Sequence, residues 1–242
     1  MTALRLLGDS ANAHTFVEAF RFIIDNPTLL LTKAWDQIEL SGAALGLALL
    51  VALPVGLVLG HYHRGSNLAI GASIFGRAVP SIFLIAVFLT LLGLGFTNNM
   101  IALAVLAIGP ILTNAYLAVE GVDADAVEAA RGMGFSNRGI FARIELPLAL
   151  PLLYIGIRIA TVTVVATAPI ASYAGGNGLG DIIANQATYR LSGVLGASIC
   201  VMALSAGVWF GLLALQKTTT PKGVRAARVL APAGDYGTKE EM

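Results

Sequence analysis

The chain has 242 residues, 57% of them hydrophobic and only 12% charged, with a formal net charge of +1. A soluble domain carries about 25% charged residues, so lipid is the expected solvent. The balanced charge excludes a basic nucleic-acid surface, and a single cysteine, Cys200 in an apolar run, excludes a disulfide scaffold or a cysteine zinc site and reads as a small buried hydrophobe.

In chain order, the opening MTALRLLGDSANAHTF is too poor in apolar residues for a signal peptide. Lipidation motifs are not expected either, with Thr at position 2 and KEEM at the end. Residues 1–37 read as an outer-side amphipathic segment. Phe16, Ala19, Phe20 and Ile23 recur at helical spacing, and Asn26-Pro27 then breaks the pattern. We expect an interfacial helix over 14–37. A sixth span is the alternative, made costly by Glu18, Arg21 and Asp25.

Five later stretches supply the roughly 20 apolar residues that a spanning helix needs. They are 38–60, with Glu39 at its outer edge; 68–95, its membrane part starting near Ala78 after Arg77; 99–119; 148–170, with Arg158 inside it; and 194–215. Pro54, Pro80, Pro110, Pro151 and Pro169 fall in or beside them, as membrane helices tolerate. The expected fold is all-α: a membrane domain over 38–216 with about five transmembrane helices, then a polar, irregular cytoplasmic tail over 217–242.

Positive charge sets the orientation. One side would hold Arg64, Arg131, Arg138, Arg143, Lys217, Lys222, Arg225 and Arg228, eight against the four of Arg5, Arg21, Lys33 and Arg190. The richer side is expected to be cytoplasmic, with the N-terminus outside and the C-terminus inside. Arg77 is expected to reach for the cytoplasmic surface.

Residues 120–147 form a charged, Gly-punctuated insert between the third and fourth spans. Asp123 or Asp125 can cap a short helix that Gly132 and Gly134 end. Ser136 can cap a second, over 137–145, which Leu146-Pro147 should stop before the next span begins. Small residues (Ala129, Ala130, Gly132) would let another protein approach closely, with Met133 and Phe135 as exposed apolar knobs. The insert therefore looks like a docking element, and an ordinary charged loop is the plainer alternative.

Other candidates are weaker. His61 and His63 share one interfacial loop without carboxylates nearby in sequence, which fits headgroup-level side chains better than a metal site. GGNGLGD, over 175–181, is out of register for a nucleotide loop and reads as an outer-side turn. Arg158, costly about ten residues into a span, has two open readings: a gate or inter-subunit pair, or a structural bond to backbone carbonyls. No catalytic constellation and no Walker loop is visible, so this chain is not expected to be an enzyme.

Glu128-Ala129-Ala130-Arg131-Gly132 followed by Ile144-Glu145-Leu146-Pro147 resembles the signature of importer-type ABC transporter permeases. AVPSIFLIAVFLTLLGLGF, Asn114, Tyr116 and Gly121-Val122-Asp123, ELPLALPLLYIGIR and GGNGLGD are similar to runs of the branch that imports glycine betaine, carnitine and choline. Arg77, Asn177 and Glu120 depart from that branch's pattern. The resemblance covers about 38–215.

It implies that Glu128, Ala129, Ala130, Gly132, Met133, Gly134, Leu146 and Pro147 form a coupling helix for an ATPase. It also implies that Pro80, Ser81, Asn114, Tyr116, Arg158, Gly178, Gly180 and Asp181 lie at the pathway or its outer gate. Pro80 and Ser81 would act by loosening the second helix. ATP and Mg would sit on partner ATPase subunits, with no cofactor or metal in this chain. A second permease subunit, identical or related, would complete the pathway in the lipid. An extracytoplasmic binding protein would capture the solute, normally in an aromatic cage. ATPase closure would open the pathway outward, and hydrolysis would reset it. Two alternatives stay open: the same importer class with another amino-acid-like zwitterion, and an ATP-independent secondary carrier. The first is decided by uptake assays and the second by ATP-independent uptake.

Overall fold

The computed structural model describes residues 2–219; for residues 2–13, Phe75 and Arg77 only the backbone is described. The expectations for Arg77 and for the tail beyond residue 219 lie outside what is described. Helix α1 spans Thr2–Asp25 and α2 spans Pro27–His61. After these come α3 (Ser66–Ala78), α4 (Ser81–Leu92), α5 (Phe96–Glu120), α6 (Ala124–Gly132), α7 (Asn137–Ile140), α8 (Leu146–Thr167), α9 (Leu179–Ala184) and α10 (Gln186–Thr219). A π-helical turn, Phe141–Glu145, joins α7 to α8, and a 3-10 segment, Ala168–Ala174, follows α8.

Among the described residues four helical stretches are long and apolar enough to cross a membrane: Pro27–His61, Phe96–Glu120, Asn137–Ala174 and Gln186–Thr219. The remaining crossing expected over 68–95 is a broken pair. Val79 and Pro80 separate α3 from α4, because the residue before proline is pushed out of the helical region. With 12 residues, α4 is only about 18 Å long, well short of a bilayer core of about 30 Å.

The helix that holds the first expected crossing starts earlier than that crossing. Pro27 starts α2, where its missing N–H costs nothing, and the helix runs 35 residues without a stop at residue 38. The 14–37 segment is therefore divided at Asn26. Its first part belongs to α1, and its second is the N-terminal part of α2. Ala19 of α1 is buried against α10, where a Cβ on Gly196 would stand 3.2 Å from the Ala19 carbonyl oxygen.

Helix α5 is the central pillar, packed by α2, α3, α4 and α8. Alanines and branched residues fill the seams: Ala44, Ala48 and Ala52 of α2, Leu103, Ala107 and Ile111 of α5, and Ala160 and Val164 of α8. Lipid offers helices no hydrophobic reason to associate, so close backbone approach between small residues must do it. Gly56 and Gly60 show this most clearly. A Cβ on Gly56 would lie 2.7 Å from the Leu112 carbonyl oxygen, and one on Gly60 2.7 Å from that of Tyr116. Residues four apart share one helix face, so the pair seats α2 directly on α5.

Candidate functional site

The insert between α5 and α8 is built by local capping. Asp123, not Asp125, caps α6: its carboxylate accepts the Asp125 N–H at 3.0 Å. The helix closes with Met133 N–H donating to the Ala129 carbonyl at 3.0 Å and Gly134 in the left-handed region at φ +85°. Ser136 Oγ accepts the Gly139 N–H at 3.3 Å and starts α7. The expected stop at Leu146-Pro147 is not there. Proline cannot donate to the carbonyl four residues back, and the chain absorbs this by widening into the π turn, where Leu146 N–H donates to the Phe141 carbonyl. From α7 onward the insert thus runs into α8 as continuous helix.

Its two faces differ. Glu128, Ala129, Gly132 and Met133 are exposed, Met133 by 69%, and a Cβ on Gly132 would meet nothing within 4 Å. Ala130 points the other way and is buried, as is Ile140. Ala130 therefore packs within this chain, and the expectation that it lies open to a partner is corrected. Phe135 is half-buried beneath the Arg143 guanidinium, 5.9 Å from its ring centre, so it is no free knob either. Leu146 and Pro147 are half-buried at the root of α8.

At the opposite end, the GGNGLGD turn links the 3-10 segment to α9. Gly178, at φ +138°, lies against Gln37 of α2. Asp181 pairs with Lys33 of α2, a partner 148 residues away that no sequence spacing announces. Gln37 Nε2 donates to the Val165 carbonyl at 3.0 Å, and Asn99 Nδ2 donates to the Ala171 carbonyl at 3.3 Å. These two buried amides, missed in the sequence, pin these ends of α2 and α5 to the region where α8 ends. A cavity of about 90 Å³ opens beside them, lined by Asp36, Glu39, Phe96 and Asn99 among others.

The other pathway candidates do not converge. Pro80 caps α4 and Ser81 is its first residue, both at the α3–α4 break. Asn114 bonds back to the Pro110 carbonyl at 2.8 Å and fills the space above Gly156 at the α5–α8 seam. Tyr116 is buried, its hydroxyl 3.0 Å from Glu120 Oε1. Arg158 bonds a side chain rather than the backbone carbonyls of the structural reading. Its guanidinium lies over the Trp209 ring at 4.2 Å and donates to Gln216 Oε1 at 3.3 Å, while Gln216 Nε2 donates to the Pro151 carbonyl. Within this chain Arg158 fastens α8 to α10.

The histidine reading changes as well. His61 Nδ1 lies 2.6 Å from Glu145 Oε2, joining the end of α2 to the π turn. His63 lies in the following turn, at φ +50°. Among the described residues no group of three or more metal-binding side chains occurs.

Residues 52–218 match the family model of the binding-protein-dependent transport system inner membrane component. The chain belongs to this family. It is the permease of such a system, a multi-pass inner-membrane protein, and not its ATPase. A carnitine transport permease, OpuCB of Listeria monocytogenes, is 37% identical over 86% of this permease and 95% of its own length. The glycine betaine/carnitine/choline permease OpuCB of Bacillus subtilis (strain 168) is 31% identical over 86% and 96%. A solved inward-facing structure of the MetNI methionine ABC transporter covers 81% of this permease and 99% of its own chain, with a TM-score of 0.69 and 21% identity. That likeness carries the fold alone.

Proposed function

We propose that this permease is the membrane subunit of an ABC importer that brings a quaternary-amine osmoprotectant, such as glycine betaine, choline or carnitine, into the cytoplasm. The observation that carries this is the near end-to-end match to relatives named for those solutes. In this reading two permease subunits, two copies or a related pair, enclose the pathway. Two ATPases carrying ATP and Mg dock on the exposed faces of the two inserts, through Glu128, Ala129, Gly132 and Met133. An extracytoplasmic binding protein delivers the solute to the end that holds the GGNGLGD turn. Pro80, Ser81, Gly178, Gly180 and Asp181 border the moving parts of the pathway, and Asn114, Tyr116 and Arg158 support them from helix seams. The N-terminal segment lies outside, and the insert and polar tail lie in the cytoplasm. With 7% aromatic residues, the chain suits a conduit better than a high-affinity aromatic trap.

The test is uptake into vesicles holding the permease with its ATPase and binding protein. Labelled glycine betaine, choline and carnitine are compared with methionine and histidine, with and without internal ATP. The reading expects ATP-dependent uptake of at least one quaternary amine. Uptake of the amino acids alone would move the cargo to another zwitterion, and uptake without ATP would reject the importer.

A further inference from the structure

We propose that His61 is a positioning residue that holds the π turn of the insert and relays its movement into α2. The proposal rests on reading the insert as the dock for the ATPase. Glu145 is the one acidic side chain buried among the described residues, at 5% exposure. A carboxylate taken out of water needs a partner, because a lone buried charge loses its hydration with nothing in return. Its partner is His61, 84 residues away, through the 2.6 Å contact between Nδ1 and Oε2. For that contact to be a hydrogen bond to an ionised carboxylate, Nδ1 carries the proton.

The same ring also meets the other end of the turn. The Phe141 ring stands edge-on to His61, with centres 5.3 Å apart. Phe141 and Glu145 are the first and last residues of the π turn, so one imidazole grips both ends of the segment that joins the insert to α8.

The anchor behind His61 is rigid. Gly60, the preceding residue, is pressed onto the Tyr116 backbone of α5, so the end of α2 cannot swing without moving α5. A shift of α6 and α7 therefore has two outlets: directly along the continuous helix into α8, and sideways through Glu145 and His61 into α2 and α5. π turns are less regular than the helices around them and often occur at functional sites, which suits a joint that must give. Without the side link, the insert could move while α2 stayed still, and ATP would be spent without opening the pathway.

The experiment uses the complete transporter in vesicles, with ATPases and binding protein, and reads the ratio of solute-stimulated to basal ATP hydrolysis together with solute moved per ATP. His61→Phe keeps the ring contact and removes the bond. His61→Asn returns a donor near the Nδ1 position. With His61→Phe the complex is expected to assemble at native levels while the stimulation ratio falls about fivefold or more, the range of a typical coupling energy. His61→Asn is expected to recover most of that ratio. An unchanged ratio in His61→Phe overturns the proposal, as does a loss that His61→Asn does not repair. Failure of His61→Phe to assemble, with His61→Asn assembling but uncoupled, also overturns it. If the native ATPase does not bind the permease, the docking reading itself falls, which the unaltered complex reveals separately.

Discussion

Gly180 has no room for a methyl group. An added Cβ would stand 2.1 Å from the Pro169 carbonyl oxygen and 2.2 Å from Ser172 Oγ. A backbone oxygen cannot swing aside like the tip of a long side chain, so Gly180→Ala must push the start of α9 off the 3-10 segment. Overpacking typically costs about 1–3 kcal/mol. We expect Gly180→Ala to lower the thermal transition of the purified permease, while Gly132→Ala, facing open space, leaves it unchanged. Equal transitions for the two variants would contradict the packing described. Arg158 yields a second prediction at this scale. Its stacking on Trp209 is worth about 2 kcal/mol when desolvated. Arg158→Gln and Trp209→Leu are each expected to destabilise the fold, and the double variant to lose clearly less than the sum of the two. Strict additivity in that cycle would mean the two side chains do not support each other. Arg158 was recognisable in the sequence because a charge inside an apolar run is conspicuous. Its role was not, because Trp209 and Gln216 lie one helix away and nothing in their own neighbourhood marks them as partners.

At the scale of elements, legibility followed the length of the apolar run. The expected span 99–119 and the helix Phe96–Glu120 agree to within a few residues, since an uninterrupted apolar stretch bounded by Gly95 and Gly121 leaves little freedom. The first crossing was expected from 38, with Glu39 at its edge, whereas the helix that holds it starts at Pro27. In the fold Lys33 is paired with Asp181, and Asp36 and Glu39 line a cavity, so the helix continues with its polar residues provided for. The insert was legible as two capped helices, but not its join to α8, because a proline that usually ends a helix was absorbed by a π turn. The faces of α6 lead to a prediction that composition alone could not supply. Gly132→Trp should leave the permease folded and membrane-inserted yet abolish co-purification of the ATPase. Ala130→Trp should instead reduce the yield of folded permease, because Ala130 is buried. If Gly132→Trp retained the ATPase at native levels, the exposed face of α6 would not be the dock.

For the whole molecule, the polar work is divided between the two ends of the bundle. Lys33–Asp181, Gln37 and Asn99 bind the end that carries the GGNGLGD turn, while His61–Glu145 and the capped insert form the other. Between them, seams such as Gly56 and Gly60 on α5 make the helices move together or not at all. An importer needs that division, since solute arrives at one end and the motor pulls at the other. It requires the two ends to face opposite compartments, which the arginine and lysine distribution predicts and labelling can check. In a Cys200→Ala background, Asn177→Cys in the exposed GGNGLGD turn should react with a membrane-impermeant maleimide in intact cells. Asn137→Cys, exposed at the start of α7, should react only after the membrane is opened. The reverse pattern would put the insert outside, where no ATP is available, and would reject both the orientation and the motor dock. Labelling of both sites in intact cells would mean that the two ends are not separated by the bilayer, and the division of labour between them would fall with it.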